Sequence, residues 1–158
     1  MKRASHGPLG GIVDPSWRIG IVHSSFYPQE VSALVAGAKQ ELLAAGIASE
    51  NISDHSVAGS FEIPLIGSVI AREKKADALI GIGIIIEGET AHAELLAREA
   101  ARGIMDVQVT YGIPFAFEVL YVQSLSQAKA RSSGTDNKGS EAARAVLHSL
   151  AEIAKLRS

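Results

Sequence analysis

The chain has 158 residues, 47% of them apolar and 20% charged, with a formal charge of −2. That is one domain by length, with enough apolar matter for a core. The balance excludes a disordered chain and a broadly basic nucleic-acid binder. There is no cysteine, so disulfides, thiolate nucleophiles and cysteine-ligated metal sites are excluded as well.

No apolar run reaches the ~18 residues of a membrane span. Met1-Lys2-Arg3 is followed by Ser5, His6, Gly7 and Pro8 rather than by an apolar stretch. Neither a signal peptide nor a membrane partner is expected, and the cytoplasm is the default location. Residues 1–16 read as an irregular arm punctuated by Gly7, Pro8, Gly10, Gly11 and Pro15, with Ile12 and Val13 able to add a short strand elsewhere. Residues 17–158 read as a single domain.

Within that domain, 18–23 is a short apolar run suited to a buried strand. Pro28 then stands where a first helical residue belongs. Val31, Leu34, Val35, Ala38 and Leu42 recur at helical spacing, and Gly46 is a stop. A weak strand follows over 51–57, diluted by Ser53, Asp54 and His55. Residues 61–75 read as a helix with Leu65, Val69 and Ile70 inward and Pro64 in its first turn. Residues 78–86 form the strongest strand, apolar on both faces as in a central parallel strand. Leu96, Ala100, Gly103, Ile104 and Val107 mark a long helix that ends at Gly112-Ile113-Pro114. A strand over 115–122, a short helix over 124–131, a loop over 134–139 and a terminal helix complete the chain. Strands alternating with helices predict an α/β fold: a four-stranded parallel sheet with helices on both faces.

In such sheets ligands bind beyond the carboxyl ends of the strands. Four segments meet that rule. The first brings Ser24, Ser25, Phe26 and Tyr27, and an aromatic there can lie on a planar ring or serve as a cap to the core. The second is Ala58-Gly59-Ser60-Phe61-Glu62-Ile63-Pro64. Ser60 is placed to cap the next helix. Glu62 suits its first turn, or the hydroxyls of a polyol. The third is Gly88-Glu89-Thr90-Ala91-His92, an N–H-lined turn fit for an oxyanion or phosphate. His92 stands where the helix dipole disfavours an imidazolium, which makes it a candidate neutral base. The fourth brings Phe117 and an odd carboxylate, Glu118, toward the same rim. Arg131 and Lys138 flank the last loop, as anion-binding cations or as solvated ones.

Other chemistries lack their residues. Gly81, Gly83 and Gly88 do not make G-x-G-x-x-G, and there is no Gly-x-Ser-x-Gly elbow. The five histidines include no pair at i, i+4, so no metal is expected.

Taken together these segments resemble the lumazine synthase family. The likeness lies in Ser-x-Phe after a strand, Gly-Ser-Phe-Glu-Ile-Pro, Gly-x-x-x-x-Gly-Glu-Thr-x-His, then Arg and Asn-Lys-Gly. It runs from about Arg18 to the terminal helix. The resemblance implies a flavodoxin-like three-layer sandwich with sites shared between subunits of a homopentamer, which in some members builds a 60-subunit icosahedral shell. It implies condensation of 5-amino-6-(D-ribitylamino)uracil with 3,4-dihydroxy-2-butanone 4-phosphate to 6,7-dimethyl-8-ribityllumazine, the penultimate step of riboflavin biosynthesis, with no cofactor.

By position, Phe26 would stack on the pyrimidine, and Ser60 and Glu62 would hold the ribityl chain. The backbone at Ile85 and Ile86 would read the uracil edge. Gly88, Glu89 and Thr90 would cradle the phosphate with Arg131, and His92 would move protons. Phe117 would close the pocket from a neighbour, and Lys138 would reach the ribityl end. The chain departs from the family pattern at Tyr27 (often Asn), Ala58 (commonly Pro), Ala93 (often aromatic or Asp) and Glu118 (usually Gly). Its final loop is about a residue short. A non-catalytic flavin- or lumazine-binding relative and a shell-forming scaffold are the alternative functions.

Overall fold

A computed structural model describes residues 12–158. The first part of the arm therefore lies outside the described residues. Of the rest, Ile12 is exposed. Val13 and Trp17 pack on the domain's own core across a turn closed by Asp14, whose carboxylate accepts from the Ser16 backbone at 2.9 Å. Residues 12–16 form no strand.

The elements follow the predicted order. They are β1 (Ile19–Ser24), α1 (Pro28–Ala44), β2 (Ile52–Val57), α2 (Ile63–Arg72), β3 (Ala78–Ile86), α3 (His92–Tyr111), β4 (Phe115–Val122), α4 (Leu125–Arg131) and α5 (Lys138–Arg157). All strands are parallel, in the order β2-β1-β3-β4. One apolar layer joins Leu34, Ala38 and Leu42 of α1 to Val146, Leu147 and Leu150 of α5 across Ile19, Ile21, Ile80 and Ile82. The other joins Ile63 and Ile70 of α2 to Ala97, Ile104 and Val107 of α3 across Val22, Leu79, Phe115 and Val119. This is the expected three-layer sandwich. Alternating residues of each strand feed opposite layers, as strand geometry requires.

One helix face departs from expectation. Ile70 is buried, but Leu65 is 61% exposed and Val69 points outward with it. The inward face of α2 is instead Ile63, Gly67, Ile70 and Ala71. Gly67 sits directly against the Phe115 ring, and that close approach rotates the helix so that Leu65 faces away. Among the described residues no helix is long and apolar enough to cross a membrane.

The strand order creates the site. The chain leaves β1 toward β2 on one side, then crosses back to β3 on the other. The crevice beyond β1 and β3 is thus the switch point of the sheet. There β3 outruns β1: their pairing stops at Ile82, while β3 continues against β4 to Ile86.

Candidate functional site

A cavity of about 460 Å³ fills that crevice. Its walls include Ser24, Phe26, Gly59, Ser60, Glu62, Ile84–Ile86 and His92. A larger one, about 630 Å³, lies at the amino end of the sheet around Trp17, Arg18, Asp77 and Tyr111. Size therefore does not choose between them; chemistry does. At the amino end Arg18 is already engaged by Asp77 at 3.2 Å and by the Lys74 carbonyl at 2.8 Å. The crevice beyond the strands gathers an uncovered aromatic, a buried hydroxyl with no hydrogen-bond partner among the described residues, and β3 backbone that runs on past β1.

The aromatic is Phe26, 62% exposed. Its backbone N–H donates to the buried Ser24 Oγ at 3.1 Å, which fixes the bend after β1. Gly59 lies under the ring, where a Cβ would stand 3.4 Å from Phe26 Cε2. The next residue, Tyr27, holds a left-handed backbone (φ 51°) and begins α1, with Pro28 in the first turn. Asn adopts that conformation far more readily than a bulky residue does. The left-handed backbone leaves Tyr27 strained at the cavity wall.

The hydroxyl is Ser60. It was expected to cap the helix and does not. Its Oγ is buried and has no hydrogen-bond partner among the described residues. The helix entry is closed instead by Glu62, whose Oε2 accepts from the Gly59 N–H at 3.0 Å. That leaves Oε1 of Glu62 for another donor. Ser60 reaches its place only because residue 83 is glycine, since a Cβ there would collide with Ser60 Oγ.

The backbone belongs to residues 83–86. Past Ile82 they have β4 on one side but no β1 on the other, so main-chain groups on the open side face the cavity. Backbone groups alternate sides along a strand: the Leu79 and Glu87 N–H groups donate toward β4, to the Pro114 and Val122 carbonyls, so Ile85 also turns its main chain to β4, and Ile84 and Ile86 are the residues whose main chain faces the open side.

Gly88, Glu89 and Thr90 form the exposed turn between β3 and α3. Thr90 Oγ1 accepts a long bond, 3.4 Å, from the His92 N–H. His92 is the first residue of the 20-residue α3 and is exposed at the cavity mouth. Ala93 is buried in the cavity wall. No cluster of three or more potential metal ligands occurs among the described residues.

Phe117, Arg131 and Lys138 do not line this cavity. Phe117 pairs with Gly81, five residues short of the end of β4, so it lies roughly 16 Å below the rim at the strand rise of ~3.3 Å per residue. The expectation that it shares a rim with Glu118 fails for a second reason: successive strand residues face opposite layers. Phe117 lies with Phe115 and Val119 on the α2–α3 side, 46% exposed. Glu118 lies with Ala116 and Leu120 on the α5 side. Arg131 closes α4, its Nη1 donating to the Gln127 carbonyl at 3.1 Å. Lys138 opens α5, its Nζ 3.0 Å from both Glu141 oxygens.

Sequence reading missed what holds that corner. Asn137 caps α5, accepting from the Gly139 N–H at 2.8 Å. Its amide donates to the carbonyls of Ala33 (2.9 Å) and Ser132 (3.0 Å). It thereby ties the Arg131 loop and the Lys138 turn to α1. Gly139 is required, because a Cβ there would strike the Leu34 carbonyl. Asn before a helical run is a cap signature, and the Asn-Lys-Gly motif carries it in Asn137 beside the lysine.

Residues 16–154 match the family model described as 6,7-dimethyl-8-ribityllumazine synthase. A protein of that name from Albidiferax ferrireducens is 39% identical over 141 residues, 89% of this chain and 85% of the relative. Another of the same name from Polaromonas sp. is 39% identical over 147 residues, 93% of this chain and 94% of the relative.

Proposed function

The chain belongs to the 6,7-dimethyl-8-ribityllumazine synthase family, and on that premise we propose how its residues carry the reaction. It is a transferase of riboflavin biosynthesis. It joins 5-amino-6-(D-ribitylamino)uracil to 3,4-dihydroxy-2-butanone 4-phosphate, forming 6,7-dimethyl-8-ribityllumazine with release of phosphate. The observation that carries the reading is a single cavity walled by an open aromatic, an orphan hydroxyl, unpaired β3 backbone and a histidine.

Each group supplies what one part of the substrates needs. The exposed Phe26 ring takes the pyrimidine face. The main chain at Ile86 supplies fixed donors and acceptors to the uracil edge, while that of Ile85, expected to share the role, is turned to β4. Ser60 Oγ, buried without a partner, gains its missing hydrogen bond from a ribityl hydroxyl, and Glu62 Oε1 accepts from another. The open N–H groups at the start of α3, with Gly88, Glu89 and Thr90, receive the phosphate. Holding two reactants in register supplies several kcal/mol of the barrier reduction. His92 then takes and returns protons as the amine adds to the ketone, phosphate leaves and the ring closes.

The cation for that phosphate is Arg131 of a neighbouring copy, joined there by Phe117 and Lys138. Two features support a shared site. The three residues stand outside the chain's own cavity. The α2–α3 side also leaves Leu65, Leu95, Met105 and Val109 each more than half exposed, with Phe117 beyond them. A single chain rarely leaves so much apolar surface uncovered without a partner for it. The assembly is a homopentamer.

The test mixes both substrates with the purified protein and follows lumazine fluorescence, alongside mass in solution. Product formation by a species of about five chains, or of a multiple of five, supports the reading. A monomer that turns over would remove the shared site. A protein that binds riboflavin and makes no product would be the non-catalytic relative instead, a reading the family match does not favour.

A further inference from the structure

The crevice carries its aromatic and its polyol-facing groups on two different strand ends. Phe26 follows β1, while Gly59, Ser60 and Glu62 follow β2. The ladder between those strands ends at the pair Ser24 and Val57. Past that pair the two segments part, one into α1 and the other into the turn before α2. Ser25 adds one more link beyond the ladder. Its Oγ donates to the Val57 carbonyl at 2.6 Å, the short end of the range for such bonds.

Ser25 does not line the cavity, and its hydroxyl is already engaged. A hydroxyl has one proton, and that of Ser25 goes to Val57, so the Ser56 hydroxyl 3.3 Å away donates to Ser25 in turn. What Ser25 acts on are its neighbours along the chain. Phe26 is the next residue, its N–H tied back to Ser24 Oγ at 3.1 Å. Two residues past Val57 comes Gly59, whose N–H is bound by Glu62 Oε2 at 3.0 Å. A Cβ on Gly59 would stand 3.4 Å from the Phe26 ring. The Ser25 bond thus closes a circuit through Phe26, Gly59 and Val57, and the circuit leaves the ring and Glu62 little freedom to move apart.

We infer that Ser25 is a positioning residue for the ribityl-bearing substrate: its bond to Val57 sets the span between the ring that takes the pyrimidine and the groups that take the polyol. The inference rests on the reading of those two contacts above. A ligand that must satisfy both ends at once feels an error in their separation, and a ligand that uses one end does not. Holding the two ends in place beforehand lowers the cost of binding without adding a contact.

The test measures by calorimetry the Kd of ribitylaminouracil and of 5,6-diaminouracil, the same ring without its ribityl arm, for the wild type, Ser25→Ala and Ser25→Thr. The KM of butanone phosphate is measured beside them. Ser25 is exposed, so both variants should fold. Ala removes the hydroxyl and Thr keeps it. Loss of one neutral hydrogen bond corresponds to about 3–10-fold. The expected result is a Kd for ribitylaminouracil raised by that factor in Ser25→Ala and returned toward the wild-type value by Thr. The Kd of diaminouracil and the KM of butanone phosphate should hold steady. A Kd for ribitylaminouracil that Ser25→Ala leaves unchanged overturns the inference. So does an equal rise for both uracils, which is what a role in the stability of the bend alone would produce. Failure of the underlying reading looks different. A wild type that binds the two uracils equally well takes nothing from the ribityl arm, so the assignment of Ser60 and Glu62 to the polyol falls, and this inference with it.

Discussion

Two corners of this molecule carry chemistry-bearing residues, and they are built differently. The crevice beyond β1 and β3 is a closed unit. Phe26, Ser60, Glu62 and His92 come from three consecutive strand-to-helix turns, and one chain brings them around one cavity. The corner formed by β4, α4 and α5 carries Arg131 and Lys138, which line neither of the two cavities described above, with Phe117 on the opposite, α2–α3 side of β4. Its order comes from Asn137, a capping residue, and not from a ligand-shaped space. On the shared-site proposal the first corner is a receptacle and the second a lid for a neighbour's receptacle, so the two meet only between copies.

The largest expected effect tests that division directly. His92→Ala should lower kcat by ~10–10⁴-fold, because the proton carrier goes while the oriented substrates remain. Arg131→Ala should raise the KM for butanone phosphate by ~10–10²-fold, as loss of a charge-assisted contact does. Neither variant alone separates the corners; mixing them does. Subunits of the two variants, denatured and reassembled together, should regain part of the wild-type activity, since some seams then pair an intact crevice with an intact lid. Activity no higher than the sum of the two parents would place Arg131 in its own chain's site.

The second effect belongs to the lid and depends on pH. Burial first, and the negative charge of Glu141 second, push the folded Glu118 carboxyl up to about 8 from its ordinary value of 4.5, with Lys138 partly opposing. The folded state therefore keeps a proton that the unfolded chain releases, and stability falls as pH rises from about 4.5 to 8. Below that window both states are protonated, and above it both have lost the proton. With ~1.4 kcal/mol per unit as the ceiling, and partial solvent access discounting it, the loss should total about 3 kcal/mol. Denaturant titrations across the window should show it, and Glu118→Gln should flatten that component. Parallel stability profiles for the two proteins would mean that Glu118 is ionised in the fold.

The crevice was legible in the sequence, and the lid was legible only in part, for physical reasons. Strand ends declare themselves: an apolar run stops, a turn begins, and the residues there must face the crevice. Phe26, Ser60, Glu62 and His92 followed from that rule. The boundaries of β3 followed from an unbroken apolar run, and those of β4 from an apolar run interrupted only at Glu118. The function of Ser60 as an orphan and not a cap did not follow, because it depends on the absent Cβ of Gly83 across the sheet. Phe117 and Glu118 were read to one rim because spacing alone does not say how far along an edge strand the crevice lies. Leu65 and Val69 were read inward because helical periodicity marks every apolar stripe, whether it meets this chain or another.

A third effect returns to the crevice. Gly83→Ala places a methyl where Ser60 Oγ now sits. Overpacking of this kind costs ~1–3 kcal/mol. It should also raise the KM for ribitylaminouracil more than that for butanone phosphate, because the displaced hydroxyl faces the former. The double variant Gly83→Ala/Ser60→Ala relieves the collision, so it should recover stability without recovering affinity. If stability and affinity returned together, Ser60 would be packing and not a ligand.

The smallest effect asks whether the strain at the crevice is used. Tyr27 holds φ 51° at the start of α1, a conformation that costs a bulky residue roughly 1 kcal/mol or more relative to glycine. Tyr27→Asn and Tyr27→Gly should therefore each stabilise the fold, by up to about 1 kcal/mol, unless the ring contributes as much through its packing on the core between the sheet, α1 and α5. The two substitutions separate those terms, since both remove the ring and only glycine removes the backbone penalty completely. A melting temperature that rises from Tyr to Asn to Gly, with kcat unchanged, would mean the strain is an accident of this chain. A rise accompanied by a lower kcat would mean that the left-handed turn helps hold Phe26 in the position catalysis needs, since the two residues share one bend with the Phe26–Ser24 hydrogen bond.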